Sequence, residues 1–94
     1  MIRDILSRIR SVLDENEGID LYVFGSVLTR KDPADLDVLV IYEDVDGLRK
    51  FLDHVDGRFG ALPIDVTAMT SSELASSGFL DRSNAINIRE VAPM

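Results

Sequence analysis

The sequence has 94 residues and a net charge of −7, with 46% hydrophobic and 29% charged residues and no cysteine. This length and apolar content fit one folded domain over residues 1–94 and exclude an intrinsically disordered chain. The acidic balance argues against binding duplex DNA through a basic face, and the lack of cysteine excludes disulfides and thiolate zinc sites.

The first segment is predicted to be an amphipathic helix. Its aliphatic residues recur at three- and four-residue spacing from Ile2 to Leu13, and Gly18 can supply a left-handed stop. Charged residues interrupt the first ten positions, which is typical of a helix and not of a signal peptide. The longest apolar run, Val38–Tyr42, is far shorter than the roughly 20 residues of a membrane span. We therefore expect a cytoplasmic protein with no membrane partner.

Two strands are predicted next. Leu21–Phe24 is rich in strand-forming residues and ends at Gly25, and Leu36–Tyr42 is a longer apolar, β-branched strand. The intervening stretch, Ser26–Ala34, reads as a short helical turn followed by a loop. Because this connection is too short for a crossover helix, the two strands should be antiparallel.

The next two elements are a helix and a third strand. Asp44 or Asp46 can cap a helix with apolar positions from Leu48 to Phe59, closed by one of the glycines that follow Val55. Pro63–Ala68 then alternates as a strand.

The last part of the chain contains weaker signals. Thr70–Glu73 has the pattern of a capping box, which predicts a short third helix to about Ser77, and Ala85–Ile88 indicates a weak fourth strand. The expected fold is α/β in the α+β sense, a small mixed β-sheet with helices packed mainly on one face.

Two aspartates open the second predicted strand. Asp35 and Asp37 are two residues apart, so they point to the same face and lie about 6–7 Å apart along the backbone. Carboxylates in this arrangement can converge on hard cations such as Mg²⁺, which prefers oxygen ligands. The alternative is that both are solvent-facing charges at a strand start.

A third aspartate lies within the third strand. Asp65 should be on the polar face, between Ile64 and Val66, which are expected to be buried. If this strand lies beside the second, its carboxylate can join the other two. The alternative is an ordinary outward-facing residue, although aspartate is disfavoured in strands.

Gly25 and Ser26 follow the first strand directly. A glycine there lets the backbone approach a phosphate closely, and the following N–H groups and the serine hydroxyl can donate to its oxygens. The alternative is a turn glycine followed by a capping serine. Arg30 is a further candidate for binding a triphosphate, against the alternative of a solvated turn. Phe79 is interpreted as a core residue and not as a base-stacking surface.

In this order, the motifs VFGS, DLDVLV and IDV resemble the nucleotidyltransferase superfamily of DNA polymerase β type, specifically its minimal nucleotidyltransferases. The resemblance covers about Leu21 to Thr67. It implies the nucleotidyltransferase fold and an enzyme that transfers a nucleoside monophosphate from Mg-NTP (ATP or another NTP) to a hydroxyl acceptor. Asp35, Asp37 and Asp65 would be the catalytic, Mg²⁺- or Mn²⁺-binding residues, and Gly25, Ser26 and Arg30 would bind the nucleotide.

Two other functions stay open. The domain can instead be a weakly active or inactive antitoxin that binds a helical HEPN-type ribonuclease, and some relatives of this kind add AMP to their partner. Besides the NTP, the expected partner is a helical protein or further copies of this chain. The third reading is a structural α/β domain in which the acids have no common role.

Overall fold

The computed structural model describes residues 2–28, 35–56 and 63–90, without the side chains of 2–5, 26, 27 and 56. Arg30, Phe59 and the glycines expected to close the second helix lie outside these ranges. The elements follow in the order α1 (Ile2–Asp14), β1 (Ile19–Phe24), the 3-10 turn η1 (Gly25–Leu28), β2 (Leu36–Tyr42), α2 (Val45–Asp56), β3 (Ile64–Thr70), α3 (Ser71–Ser77), α4 (Phe79–Ser83), β4 (Ile86–Asn87) and the 3-10 turn η2 (Ile88–Glu90). The predicted α+β class with a small mixed sheet is confirmed.

The four strands form one sheet in the order β3-β2-β1-β4. β1 and β2 are antiparallel, as the short connection between them predicted, and β4 is antiparallel to β1. β2 and β3 are parallel, with α2 as the crossover. The amide of Leu36 donates to the carbonyl of Pro63 at 2.9 Å and closes this parallel ladder at its start.

The main core lies between one face of the sheet and the two longer helices. Alternate residues of β1 and β2 point to this face and meet the apolar stripes of α1 and α2, so the two longer helices lie on one face of the sheet. The core consists of Ile9, Val12, Leu13, Leu21, Val23, Leu36, Val38, Val40, Phe51, Val55 and Ile88.

The opposite face is partly covered by the two short helices. Leu39 and Ile41 point to this second face and are both buried. The ring of Phe79, at the start of α4, packs edge-on against Phe24 of β1, and the hydroxyl of Ser77 in α3 donates to the sulfur of Met69 in β3 at 3.8 Å. α4 was not predicted as a helix. It is separated from α3 by Gly78, whose φ of 67° breaks the helical path.

Side-chain caps set the starts of two helices. The amide of Gly47 donates to Asp44 Oδ1 at 2.7 Å, which identifies Asp44 as the cap of α2. The predicted capping box of α3 is formed, because the Glu73 amide donates to the Thr70 hydroxyl and the Thr70 amide donates to the Glu73 carboxylate. Gly18 has the expected positive φ, 82°, but α1 already ends at Asp14.

One expected core residue is not buried. Val66 was predicted to be covered, yet it is 41% exposed. Within the described ranges β3 is an edge strand, so Val66 has a neighbouring strand on one side there. Its register partner Val38 in β2 is flanked on both sides and is 2% exposed. Among residues 2–28, 35–56 and 63–90, no helix has the length and apolar character needed to cross a membrane.

Candidate functional site

Three carboxylates meet at the end of the sheet where the parallel strands begin. Asp37 and Asp65 are register partners at the second positions of β2 and β3, so they point to the same face. Asp35 precedes Asp37 by two residues and joins them. One carboxylate oxygen of each residue lies within 4.8 Å of the other two. The structure thus brings together the three side chains that the sequence singled out, and we call them the acidic cluster.

The environment of the acidic cluster makes its negative charge unfavourable. Asp35 and Asp37 are half-buried and Asp65 is exposed. Burial raises the pKa of Asp37 above its ordinary value of 3.8, and the charges of Asp35 and Asp65 raise it further. A bound cation would offset both effects.

Gly25 lies directly against the acidic cluster. Phe24 is the register partner of Asp37, so the next residue passes beside the Asp37 carboxylate. A Cβ on Gly25 would overlap Oδ2 of Asp37 and lie 3.3 Å from its Cγ. The φ of Gly25 is also positive, 78°, a conformation that other residues rarely adopt. Sequence reasoning assigned this glycine to phosphate approach and missed its contact with Asp37, which depends on the antiparallel register.

The remaining predicted nucleotide ligands are less completely defined. Ser26 is in η1 and directly follows Gly25, the residue that lies against Asp37. Its side chain and the whole of Arg30 lie outside the described residues. The phosphate-binding roles of Ser26 and Arg30 therefore stay predictions.

The donor set of the acidic cluster fits a hard divalent cation. All three side chains offer carboxylate oxygens, which suit Mg²⁺ and Mn²⁺ and do not select for softer metals. Mg²⁺ also retains waters and substrate phosphates, so a cluster open to solvent on the side of Asp65 is compatible with it. Exposed acidic groups are common without a cation. Here, however, the carboxylates come from two strands, β2 and β3, and from the residue before β2, and they lie close together.

An aromatic pair lies beside the acidic cluster. Phe24 and Phe79 are both half-buried, with ring centroids 5.1 Å apart and ring planes at 85°. Phe79 was interpreted as a core residue, but it lies on the second face of the sheet and is only partly buried. The register of β1 with β2 places Phe24 on the same face as Asp37.

Comparison with known proteins gives little further information. No family model matches the sequence, and no curated protein matches it. Among solved structures, the chain is similar to the solution NMR structure of NF4, a de novo designed protein with a novel fold, at 18% sequence identity and a TM-score of 0.47. The match covers 92% of this chain and 71% of NF4. A similarity at this level carries no conclusion about function.

Proposed function

We propose that this protein is a metal-dependent nucleotidyltransferase that transfers a nucleoside monophosphate from ATP or another NTP to a hydroxyl group. The observation that carries the proposal is the acidic cluster: three carboxylates from two strands within 4.8 Å of one another. The contact of Gly25 with Asp37 supports it, because Gly25 is the first residue of η1 and lies against the Asp37 carboxylate. The resemblance of the VFGS, DLDVLV and IDV motifs supplies the reaction class.

Each residue has a distinct proposed task. Asp35, Asp37 and Asp65 would hold the divalent cations. A bound cation supplies charge neutralisation at the triphosphate and lowers the pKa of the attacking hydroxyl. Asp65 is the exposed member and would accept the proton of the acceptor. The acceptor oxygen forms a bond to the α-phosphorus while the bond to the bridging oxygen breaks, and pyrophosphate leaves.

The acceptor is proposed to be a hydroxyl on another protein in the cytoplasm, foremost a helical partner. Asp65 lies on an edge strand and is exposed, so a large acceptor can reach it without entering a closed cavity. The charge at this site is negative, which favours an acceptor brought by protein contacts over one brought by a free anionic chain.

Thermal unfolding with Mg²⁺ or Mn²⁺ and an NTP tests the binding part of this proposal. We expect the melting temperature to rise with metal-nucleotide, because the ligand binds the folded state. Asp37→Asn should abolish the rise, whereas Asp53→Asn, an exposed aspartate of α2, should retain it. An unchanged wild-type melting temperature at millimolar metal-nucleotide would contradict the proposal.

Transfer is tested with ATP labelled at the α-phosphate and a lysate of the source cell. We expect a labelled protein band that requires the wild-type chain and is absent with Asp35→Asn. Nucleotide binding without any labelled product would instead favour a non-catalytic binding role, such as that of an antitoxin. A band that persists with Asp35→Asn would rule out the acidic cluster as its source.

A further inference from the structure

We propose that the Phe24–Phe79 pair forms the binding surface for the nucleobase of the NTP. The base would be bound by contact with the aromatic rings. This inference rests on the proposed function and adds a contact for the base to it. It assigns a ligand contact to two residues outside the acidic cluster and the glycine-serine turn.

The position of Phe24 follows from strand register. Phe24 and Asp37 are directly opposed in the antiparallel β1–β2 pair, and such partners have Cβ atoms about 4.5–5.5 Å apart on one face. A triphosphate bound at the acidic cluster therefore has an aromatic side chain as its neighbour toward β1. The corresponding neighbour toward β3 is Asp65, which is polar and exposed.

The position of Phe79 follows from the break between α3 and α4. Gly78 takes a left-handed conformation, and the Phe79 amide donates to the Ser77 hydroxyl at 3.1 Å, which fixes the start of α4. The Phe79 ring then meets the Phe24 ring at 5.1 Å and 85°. The second ring therefore enlarges the aromatic surface next to Phe24, the register partner of Asp37.

The accessibility of the two rings distinguishes them from core aromatics. Phe51, on the other face of the sheet, is 1% exposed, and Leu39, on the same face as Phe24, is fully buried. Phe24 and Phe79 are intermediate in burial, so part of each residue is accessible to a ligand. Because every base has a π-face, contact of this kind tolerates different bases. We therefore expect ATP and GTP to bind with similar affinity.

The test compares a ligand with a base to one without. Binding of Mg²⁺-tripolyphosphate and of the Mg²⁺ complex of α,β-methylene ATP, which cannot undergo transfer, is measured by calorimetry on the full chain. We expect the base-bearing ligand to bind roughly 5- to 150-fold more tightly, the range that stacking on one aromatic side chain gives. Phe79→Leu should remove most of this difference and leave tripolyphosphate binding unchanged, whereas Phe79→Tyr should retain it.

Controls separate this inference from the proposed function. Leu74→Ala, which truncates a half-buried side chain of α3 without removing a ring, should leave the difference between the two ligands intact. If tripolyphosphate binds but the base adds no affinity, or if Phe79→Leu keeps the full difference in affinity between the two ligands, the Phe24–Phe79 pair does not bind the base. The proposed function then still stands. If neither ligand binds the wild-type chain, the proposed function fails as well.

Discussion

Replacing Gly25 by alanine tests the packing of the candidate site without reference to any ligand. Two effects are expected to destabilise this variant. The φ of 78° is unfavourable for any residue with a Cβ, by about 1–2 kcal/mol. The new Cβ also overlaps Asp37 Oδ2, so the carboxylate must move, and an off-rotamer side chain costs about 0.5–1.5 kcal/mol more.

A second glycine provides a matched control. Gly78 has a φ of 67°, and a Cβ there would meet nothing within 4 Å. Gly78→Ala should therefore show only the conformational effect. Gly25→Ala should exceed it by about 0.5–1.5 kcal/mol in the free energy of unfolding, and this excess should disappear when Asp37 is also replaced by alanine.

Urea denaturation of the single and double variants measures these differences. The double-variant cycle between positions 25 and 37 should give a coupling energy above the roughly 0.3–0.5 kcal/mol expected of independent sites. If Gly25→Ala is no more destabilising than Gly78→Ala, or if its effect is the same with and without the Asp37 carboxylate, the contact between Gly25 and Asp37 does not exist as described.

Three further predictions concern charge, capping and the core. Because burial and the neighbouring carboxylates raise the pKa of Asp37, the folded state binds its proton more tightly than the unfolded state, and the stability this gives is lost as the pH rises through the raised pKa. In metal-free buffer at neutral pH, Asp37→Asn should therefore be as stable as the wild type or more stable by about 1 kcal/mol, and a less stable variant in urea titrations would contradict this. Thr70→Ala should lower the free energy of unfolding by about 0.5–2 kcal/mol through loss of the capping box, whereas Ser72→Ala in the same turn should change it by less than about 0.5 kcal/mol. Phe51→Ala should lower the free energy of unfolding by about 3–5 kcal/mol, since Phe51 is 1% exposed in the main core, and a loss under about 1 kcal/mol would show that α2 does not pack as described.

The fold was largely predictable because its determinants are local. The apolar stripe of α1, the alternation in β3 and the Thr70–Glu73 capping box each depend on residues within a few positions of one another. The proximity of Asp65 to Asp37 was also predictable, since it required only that the second and third strands be neighbours. β1 begins two residues earlier than predicted, and β3 begins one residue later and ends two residues later, because strand ends depend on pairing with β2.

The features that were missed depend on tertiary structure. The exposure of Val66 follows from the place of β3 at the sheet edge, which no pattern within β3 reveals. The contact of Gly25 with Asp37 and that of Phe24 with Phe79 join residues from separate elements. α4 has only five residues, too few for a periodic signal, and its start is set by the conformation of Gly78.

The pairing of β2 with β3 ties the charged site to the hydrophobic interior. Adding or deleting one residue within β3 would exchange the side chains on the two faces of the sheet. Asp65 would then point toward α1 and α2, and Val66 toward the carboxylates of Asp35 and Asp37. Such a change would disrupt the packing of the core and remove Asp65 from the acidic cluster at the same time. Over evolutionary time, the charges at this site can therefore be altered by point substitution, but insertions and deletions that shift them along the strand would be eliminated together with the fold.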